Sequence, residues 1–348
     1  LVENGLGNAV FAAMGQAFFT LSLGIGSIAI FGSYIGKERS LMGESVSVGV
    51  LDTLVALTAG LIIFPACSAF GVEVNEGPKP LFVTLARGTS DNAATVFSFL
   101  CPLVTGIQVG KFHPSLYTVY NTKVDMKDTC MIIVSQSGMS KDTIDVFNKA
   151  KAAGAMTVAV TNNNESPVAQ QADFHLFMDV EEEKSVAATK TYIAELTALA
   201  LLADALGGNI GAEIDEYPGK IAGILEKFDE IAVAAKGIYK ERSNIILTRG
   251  TMLGTGDECA LKLTECCYMF NRAFSTANFM HGPFSLIDET ANVILLAPSG
   301  VFEEESKNLA KRIKSLGGKL TVLRDIPAVL EVADTTLALP SACQVAPP

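Results

Sequence analysis

Hydrophobic and polar positions divide the chain into two regimes. From Asn4 to Gly36 there is no Asp, Glu, Lys or Arg, and from Ser45 to Val72 the one charge is Asp52. A helix needs about 20 apolar residues to cross a bilayer. Both runs exceed that, so the pattern predicts an all-α two-helix membrane hairpin over residues 1–80, anchoring the chain through residues 8–72. Within the first run, FTLSLGIG (Phe19 to Gly26) interrupts the apolar face with Thr, Ser and two Gly. Such a break is tolerated in a membrane where unwound backbone lines a cavity.

Past residue 80 the apolar segments shorten and alternate with helical periodicity. LFVTLA (81–86), CMIIVS (130–135), MTVAVTN (156–162) and FHLFMDV (174–180) read as strands, and KTYIAELTALALLADALGG (190–208) reads as a helix ended by glycine. A second round follows in NIILTRG (244–250), NVILLAP (292–298) and KLTVLR (319–324). Apolar, β-branched runs separated by helices imply parallel strands covered on both faces. The predicted fold class is α/β: two doubly wound parallel-sheet lobes at 81–218 and 219–348, with Tyr217–Pro218–Gly219 as the link.

Composition narrows the function. A formal net charge of −11 argues against nonspecific nucleic-acid binding. The mean hydropathy of +0.36 is high for a soluble enzyme, and the excess sits in the first eighty residues. Seven cysteines show no CxxC spacing and mostly fall in apolar segments, as expected for reduced, buried thiols. With His113, His175 and His281 as the whole histidine complement, a multi-histidine metal site is not expected, and no cofactor motif is present.

Two strand ends open into helices through hydroxyl-rich turns, RGTSDNAA (87–94) and SQSGMSKDT (135–143). Free N–H groups at a helix start attract phosphate, and hydroxyls add donors. One such turn is usually a simple helix cap. Two at successive ends of one sheet converge on one crevice. Further on, DECALKLTECCYMF sets Glu258, Lys262 and Glu265 at i, i+4 and i+7 on one helical face. A solvated ion-paired face is the plain reading. The apolar flanks instead predict a mostly buried helix, where a carboxylate beside a lysine is a candidate proton-transfer group. FMHGP then places His281 at a turn.

Together GTSDNA, SQSG, EKSVAATKT (183–191), ECALKLTE and HGP resemble the sugar isomerase (SIS) domain pair of glucosamine-6-phosphate synthase and its relatives, the AgaS-type deaminase/isomerases and fructosamine-phosphate deglycases. The resemblance covers about 83–340. It implies that Gly88, Thr89 and Ser90 line the sugar-phosphate site, that Ser135, Gln136, Ser137 and Ser140 hold the phosphate, and that Val186 and Ala188 contact the sugar. It further implies that Glu265 moves a proton between C1 and C2 and that His281 opens the ring across a dimer interface. Lys262 and Glu258 complete the polar site. Ala188 stands where the synthase has a serine, and Arg272 and Asn278 where relatives often have glutamate. SACQVAPP lacks the family's imine-forming C-terminal lysine. Schiff-base chemistry is therefore not expected, and with no glutaminase domain before the SIS pair in this sequence, glutamine-dependent amide transfer by this chain alone is not expected either.

The first eighty residues resemble helices six and seven of bacterial neurotransmitter:sodium symporters, through GQAFFTLSLGIG and SYIGKERSLMGESVSVGVLDTLVALTAGLIIFPA. That resemblance puts Thr20 and Asp52 at vestigial sodium-ligand positions. Two helices cannot enclose a transport path, so transport is not expected. The two resemblances meet at residues 75–94, the join expected of a chimeric frame. The sequence thus predicts an aminosugar-phosphate isomerase/deaminase, or alternatively a noncatalytic sugar-phosphate sensor. Its ligand is a hexose 6-phosphate or aminosugar phosphate, its SIS part is a cytoplasmic homodimer, and a membrane is a partner only through the N-terminal segment.

Overall fold

The computed structural model describes residues 50, 82–239, 243–297, 300–324 and 332–338. The expected membrane hairpin, with Thr20 and Asp52, and the SACQVAPP segment lie outside the described residues.

Strands buried on both faces need helices on both sides, and the chain supplies them twice. In the first lobe, β1 (Phe82–Leu85), β2 (Val109–Lys111), β3 (Cys130–Val134), β4 (Met156–Thr161) and β5 (Phe174–Phe177) alternate with α1 (Thr89–Thr105), α2 (Ser115–Thr118), α3 (Lys141–Ala152) and α4 (Pro167–Gln171). Three helices follow: α5 (Lys190–Ala203), α6 (Gly211–Leu225) and α7 (Phe228–Tyr239). The second lobe contains β6 (Ser243–Thr248), α8 (Leu253–Cys267), β7 (Phe270–Ser275), α9 (Thr276–Met280), β8 (Asn292–Leu296), α10 (Glu303–Ser315), β9 (Lys319–Arg324) and β10 (Thr335–Ala338).

Among the described residues all strand pairs are parallel. The sheets run β2-β1-β3-β4-β5 and β10-β9-β8-β6-β7, which is the same winding order used twice. Successive strand residues face opposite sides. Ile132, Val134, Val158 and Val160 therefore pack with Phe97 of α1, Leu199 of α5 and Ile214 of α6. Met131, Ile133 and Ala159 pack with Val146 and Phe147 of α3 on the other side. In the second lobe, Leu247, Val293 and Val322 meet Leu309 and Ile313 of α10, while Ile246 and Ile294 meet Ala260 of α8.

Three strands escape the hydrophobic pattern: β2, β7 and β10. All three are sheet edges, where polar residues are tolerated and burial on one face suffices. The residues of the expected link, Tyr217–Pro218–Gly219, lie inside α6. α6 contributes Ile214 to the first core and α7 packs Ile238 on the second, so the chain changes lobe at the turn between them. Among the described residues, Lys190–Gly208 is the one helical stretch long and apolar enough to cross a membrane, and it is a core helix of the first lobe.

α1 and α8 pack against each other and join the lobes. Gly254 makes this possible, since a Cβ there would collide with the Asn92 carbonyl and Val96 of α1. The second sheet is pinned by a buried asparagine rung. Asn244 donates to Asn271 Oδ1 at 2.7 Å and accepts from Asn292, while Asn271 donates to the Met269 carbonyl at 3.0 Å. A one-residue slip would break the rung and invert the apolar faces. Asn244→Ala leaves buried amide groups on both neighbours unpaired and is expected to cost about 1–3 kcal/mol. Urea denaturation measures this, and the midpoint falls with the slope unchanged.

Candidate functional site

In an open parallel sheet, the crevice forms where neighbouring strands send their helices to opposite faces. In the first lobe that point lies between β1 and β3. The chain leaving β1 is Arg87-Gly88-Thr89-Ser90 and the chain leaving β3 is Ser135 to Ser140, the two turns expected to hold phosphate. Arg87 bridges them, its Nη2 lying 3.0 Å from Asp142 in the first turn of α3. Ser135 Oγ accepts from the Gly138 N–H at 3.2 Å, and Ser137 Oγ accepts from the Met139 N–H at 3.3 Å. Both hydroxyls thus spend their oxygens on the turn and keep their protons to donate to an anion. Ser140 gives its proton to Thr143 Oγ1 at 2.5 Å, and the Gln136 carbonyl ties the turn to Asn162. Gly138 has φ +59°, and a Cβ there would run into the Ser166 side chain.

The second lobe enters this site through α8. Glu258, 5% exposed, accepts from Thr89 Oγ1 at 3.1 Å and from Asn92 Nδ2 at 2.8 Å. Lys262 lies 3.4 Å from Glu258, 3.2 Å from Thr89 Oγ1 and 2.7 Å from Glu265. Burial works against the Lys262 ammonium, but Glu265 and Glu258 outweigh it and hold its pKa above the usual lysine value. Lys262 is therefore a fixed cation. Glu265, expected in a mostly buried stretch, lies where α8 emerges, with its side chain 35% exposed. The buried carboxylate of this helix is Glu258.

Other expected residues are dispersed. Glu183 accepts from the backbone N–H groups of Thr189 and Thr191, which holds the EKSVAATKT loop on the start of α5. On that loop Val186 is fully exposed and Ala188 half-buried. His281 follows α9 and is exposed, and among the described residues no hydrogen bond or ion pair joins its side chain to the Glu258 cluster. The thiols also diverge from expectation: Cys101 and Cys130 are buried, whereas Cys266 and Cys267, beside Glu265, are exposed.

Asn92 and Glu195 belong to the site but were not singled out from the sequence. Glu195 on α5 is completely buried and accepts from Ser90 Oγ at 2.6 Å. Burial, against the opposing Ser90 hydrogen bond and with added repulsion from Glu258, pushes its carboxyl up to about 7. Its signal was available: Glu195 is the one charge between Lys190 and Asp204 in an otherwise apolar helix.

The second lobe repeats the first turn as Arg249-Gly250-Thr251, and again the arginine pairs with an acid of the following helix, here Glu305 at 2.8 Å. This copy is filled by its own side chains. Phe302 stacks under Arg249, a Cβ on Gly250 would strike its ring, and Glu305 also accepts from Thr276 at 2.6 Å. Glu303, Glu304 and Glu305 occupy the first turn of α10, where they repel an anion.

The architecture is thus a doubled parallel α/β fold whose first lobe carries hydroxyl-rich turns at the ends of β1 and β3. Residues 81–205, essentially the first lobe, match the family model of the SIS domain. Over 281 residues, 78% of its length, the chain is 30% identical to the isomerizing glutamine–fructose-6-phosphate aminotransferase of Brucella melitensis, of which it covers 46%. The chain therefore spans less than half the length of that relative. The structure is similar to that of a candidate phosphosugar isomerase from Silicibacter pomeroyi (TM-score 0.68, 28% identity, 76% of this chain and 80% of that one). It also shares the fold of the C-terminal domain of glucosamine-fructose-6-phosphate aminotransferase from Francisella tularensis (TM-score 0.69, 20% identity, 76% of this chain and 78% of that one).

Glu195 gives the site a pH signature. A carboxyl raised from 4.5 to about 7 on folding favours the folded state most below pH 4.5 and loses that contribution as pH climbs through 7. Thermal melts of wild type and Glu195→Gln between pH 4 and 8 should show wild type losing ground to the variant across this window. Above it the gap is constant.

Proposed function

We propose that the chain binds a hexose 6-phosphate or aminosugar phosphate and interconverts its aldose and ketose forms, as an isomerase/deaminase of the SIS type. The observation that carries this reading is the junction of the two lobes. There the hydroxyl-rich turns of β1 and β3 share a crevice with the Glu258–Lys262–Glu265 face of α8. The relatives are named for aminosugar-phosphate chemistry, which agrees with it.

Ser135, Gln136, Ser137 and Ser140 hold the phosphate with hydroxyl and N–H donors at the start of α3. Phosphate at one end orients the opened sugar, whose reacting carbons reach Gly88, Thr89 and Ser90 and the rim of α8. Val186 and Ala188 approach the sugar from the EKSVAATKT loop. Glu265 takes the proton from the carbon next to the carbonyl and returns it to the neighbouring carbon. Lys262, a fixed cation, steadies the charge that develops on the oxygens. Glu258 holds Lys262 and Thr89 in place. His281, exposed beyond α9, acts as the ring-opening acid in the site of a second copy, making the working unit a homodimer.

The test is incorporation of solvent deuterium into fructose 6-phosphate or glucosamine 6-phosphate in D2O, followed by NMR. Glu265→Gln should lower the exchange rate by about 100-fold or more with sugar-phosphate binding retained. An unchanged rate would remove Glu265 from the role of base. Binding without any exchange in the wild type would favour a sensor.

A further inference from the structure

Among the described residues Glu195 is a buried acid without a counter-ion, and its side chain holds Ser90 of the turn after β1. The carboxyl is 0% exposed, its Oε1 accepts from Ser90 at 2.6 Å, and its Oε2 has no hydrogen-bond partner among the described residues. The groups around it are neutral or negative. From α1 comes Ser90, while Asp91 of the same turn is paired with Lys111. From α8 come Glu258 and Thr255, the latter sharing a hydrogen bond of 3.4 Å with Tyr192 of Glu195's own helix. Glu258, Glu195 and Asp257 all act on that Tyr192. α6 joins α5 at its C-terminal end, where Asp204 accepts from the Ile210 N–H. Lys262 of α8 is committed to Glu258 and Glu265.

We propose that Glu195 is a positioning residue of the sugar-phosphate site, acting through Ser90, and that binding of the anionic ligand is coupled to keeping its carboxyl neutral. This rests on the sugar-phosphate reading above. The Ser90 proton is given to Oε1, which leaves the Ser90 lone pairs to accept from a ligand hydroxyl or amine. An ionised Glu195 would add a second negative charge beside Glu258, close behind a dianionic ligand and poorly screened by water. The coupling is reciprocal. A bound anion holds the proton on Glu195, and the proton on Glu195 favours the anion. Ordinary carboxylate behaviour would have this group ionised throughout the neutral range, whereas its burial brings the titration to about 7.

The experiment is isothermal titration calorimetry of the full chain with fructose 6-phosphate from pH 6 to 8.5, for wild type, Glu195→Gln and Ser90→Ala. Taking the ratio of wild type to Glu195→Gln cancels the titration of the phosphate itself. The two affinities should agree near pH 6, and wild type should weaken relative to the variant by about tenfold by pH 8.5. Ser90→Ala binds more weakly at every pH and has a shallower pH slope than wild type, and it keeps the test decisive if the glutamine variant does not fold. Binding with identical pH slopes in wild type and Glu195→Gln would overturn the role of Glu195 alone. No binding by wild type at any pH would overturn the sugar-phosphate reading and this proposal with it.

Discussion

The site depends on one buried carboxylate. Glu258 reaches from the second lobe into the start of α1 in the first, where Thr89 and Asn92 donate to it and Lys262 balances its charge. A buried charge is stable only when paired and hydrogen-bonded, and removal of one partner leaves a cost larger than the pair's net worth. The lobes are therefore held in a specific orientation by polar contacts, on a helix–helix packing that Gly254 permits. That same orientation carries Lys262 and Glu265 to the rim of the crevice.

The duplication shows how two copies of one turn came to differ. Both lobes have the same strand order and the same Arg-Gly-Thr turn after the first strand. In each, the arginine reaches an acid at the start of the helix behind the neighbouring strand. The lobes part company at the end of that neighbouring strand. After β3 the chain is Ser, Gln, Ser, Gly, whose hydroxyls accept from the turn and keep donors free. After β8 it reaches Phe302 and three successive glutamates, which fill and charge the equivalent space. The second lobe has become a supporting element that lends α8 to the first.

Much of this was legible in the residues. Buried central strands such as CMIIV and NVILL have a continuous apolar run, and the hydroxyl-rich turns follow FVTL and CMIIV. VGK, FNRAFS and TTLA were not legible as strands because edge pairing imposes little pattern. The i, i+4, i+7 spacing placed Glu258, Lys262 and Glu265 on one face. It could not say that α8 passes from buried at Glu258 to emergent at Glu265, because that is set by where α1 ends its contact. Asn92 and Glu195 needed the tertiary fold: each matters through a partner far away in sequence, Glu258 for one and Ser90 for the other.

The central claim is that the crevice between β1 and β3, and not its copy between β6 and β8, is where an anionic sugar binds. Hydrogen–deuterium exchange of the full chain, with and without glucosamine 6-phosphate, tests it most directly. The expected result is slowed exchange confined to residues 86–92, 135–143 and the rim of α8, with 249–253 unaffected. Protection at 249–253 with none at 135–143 would contradict it.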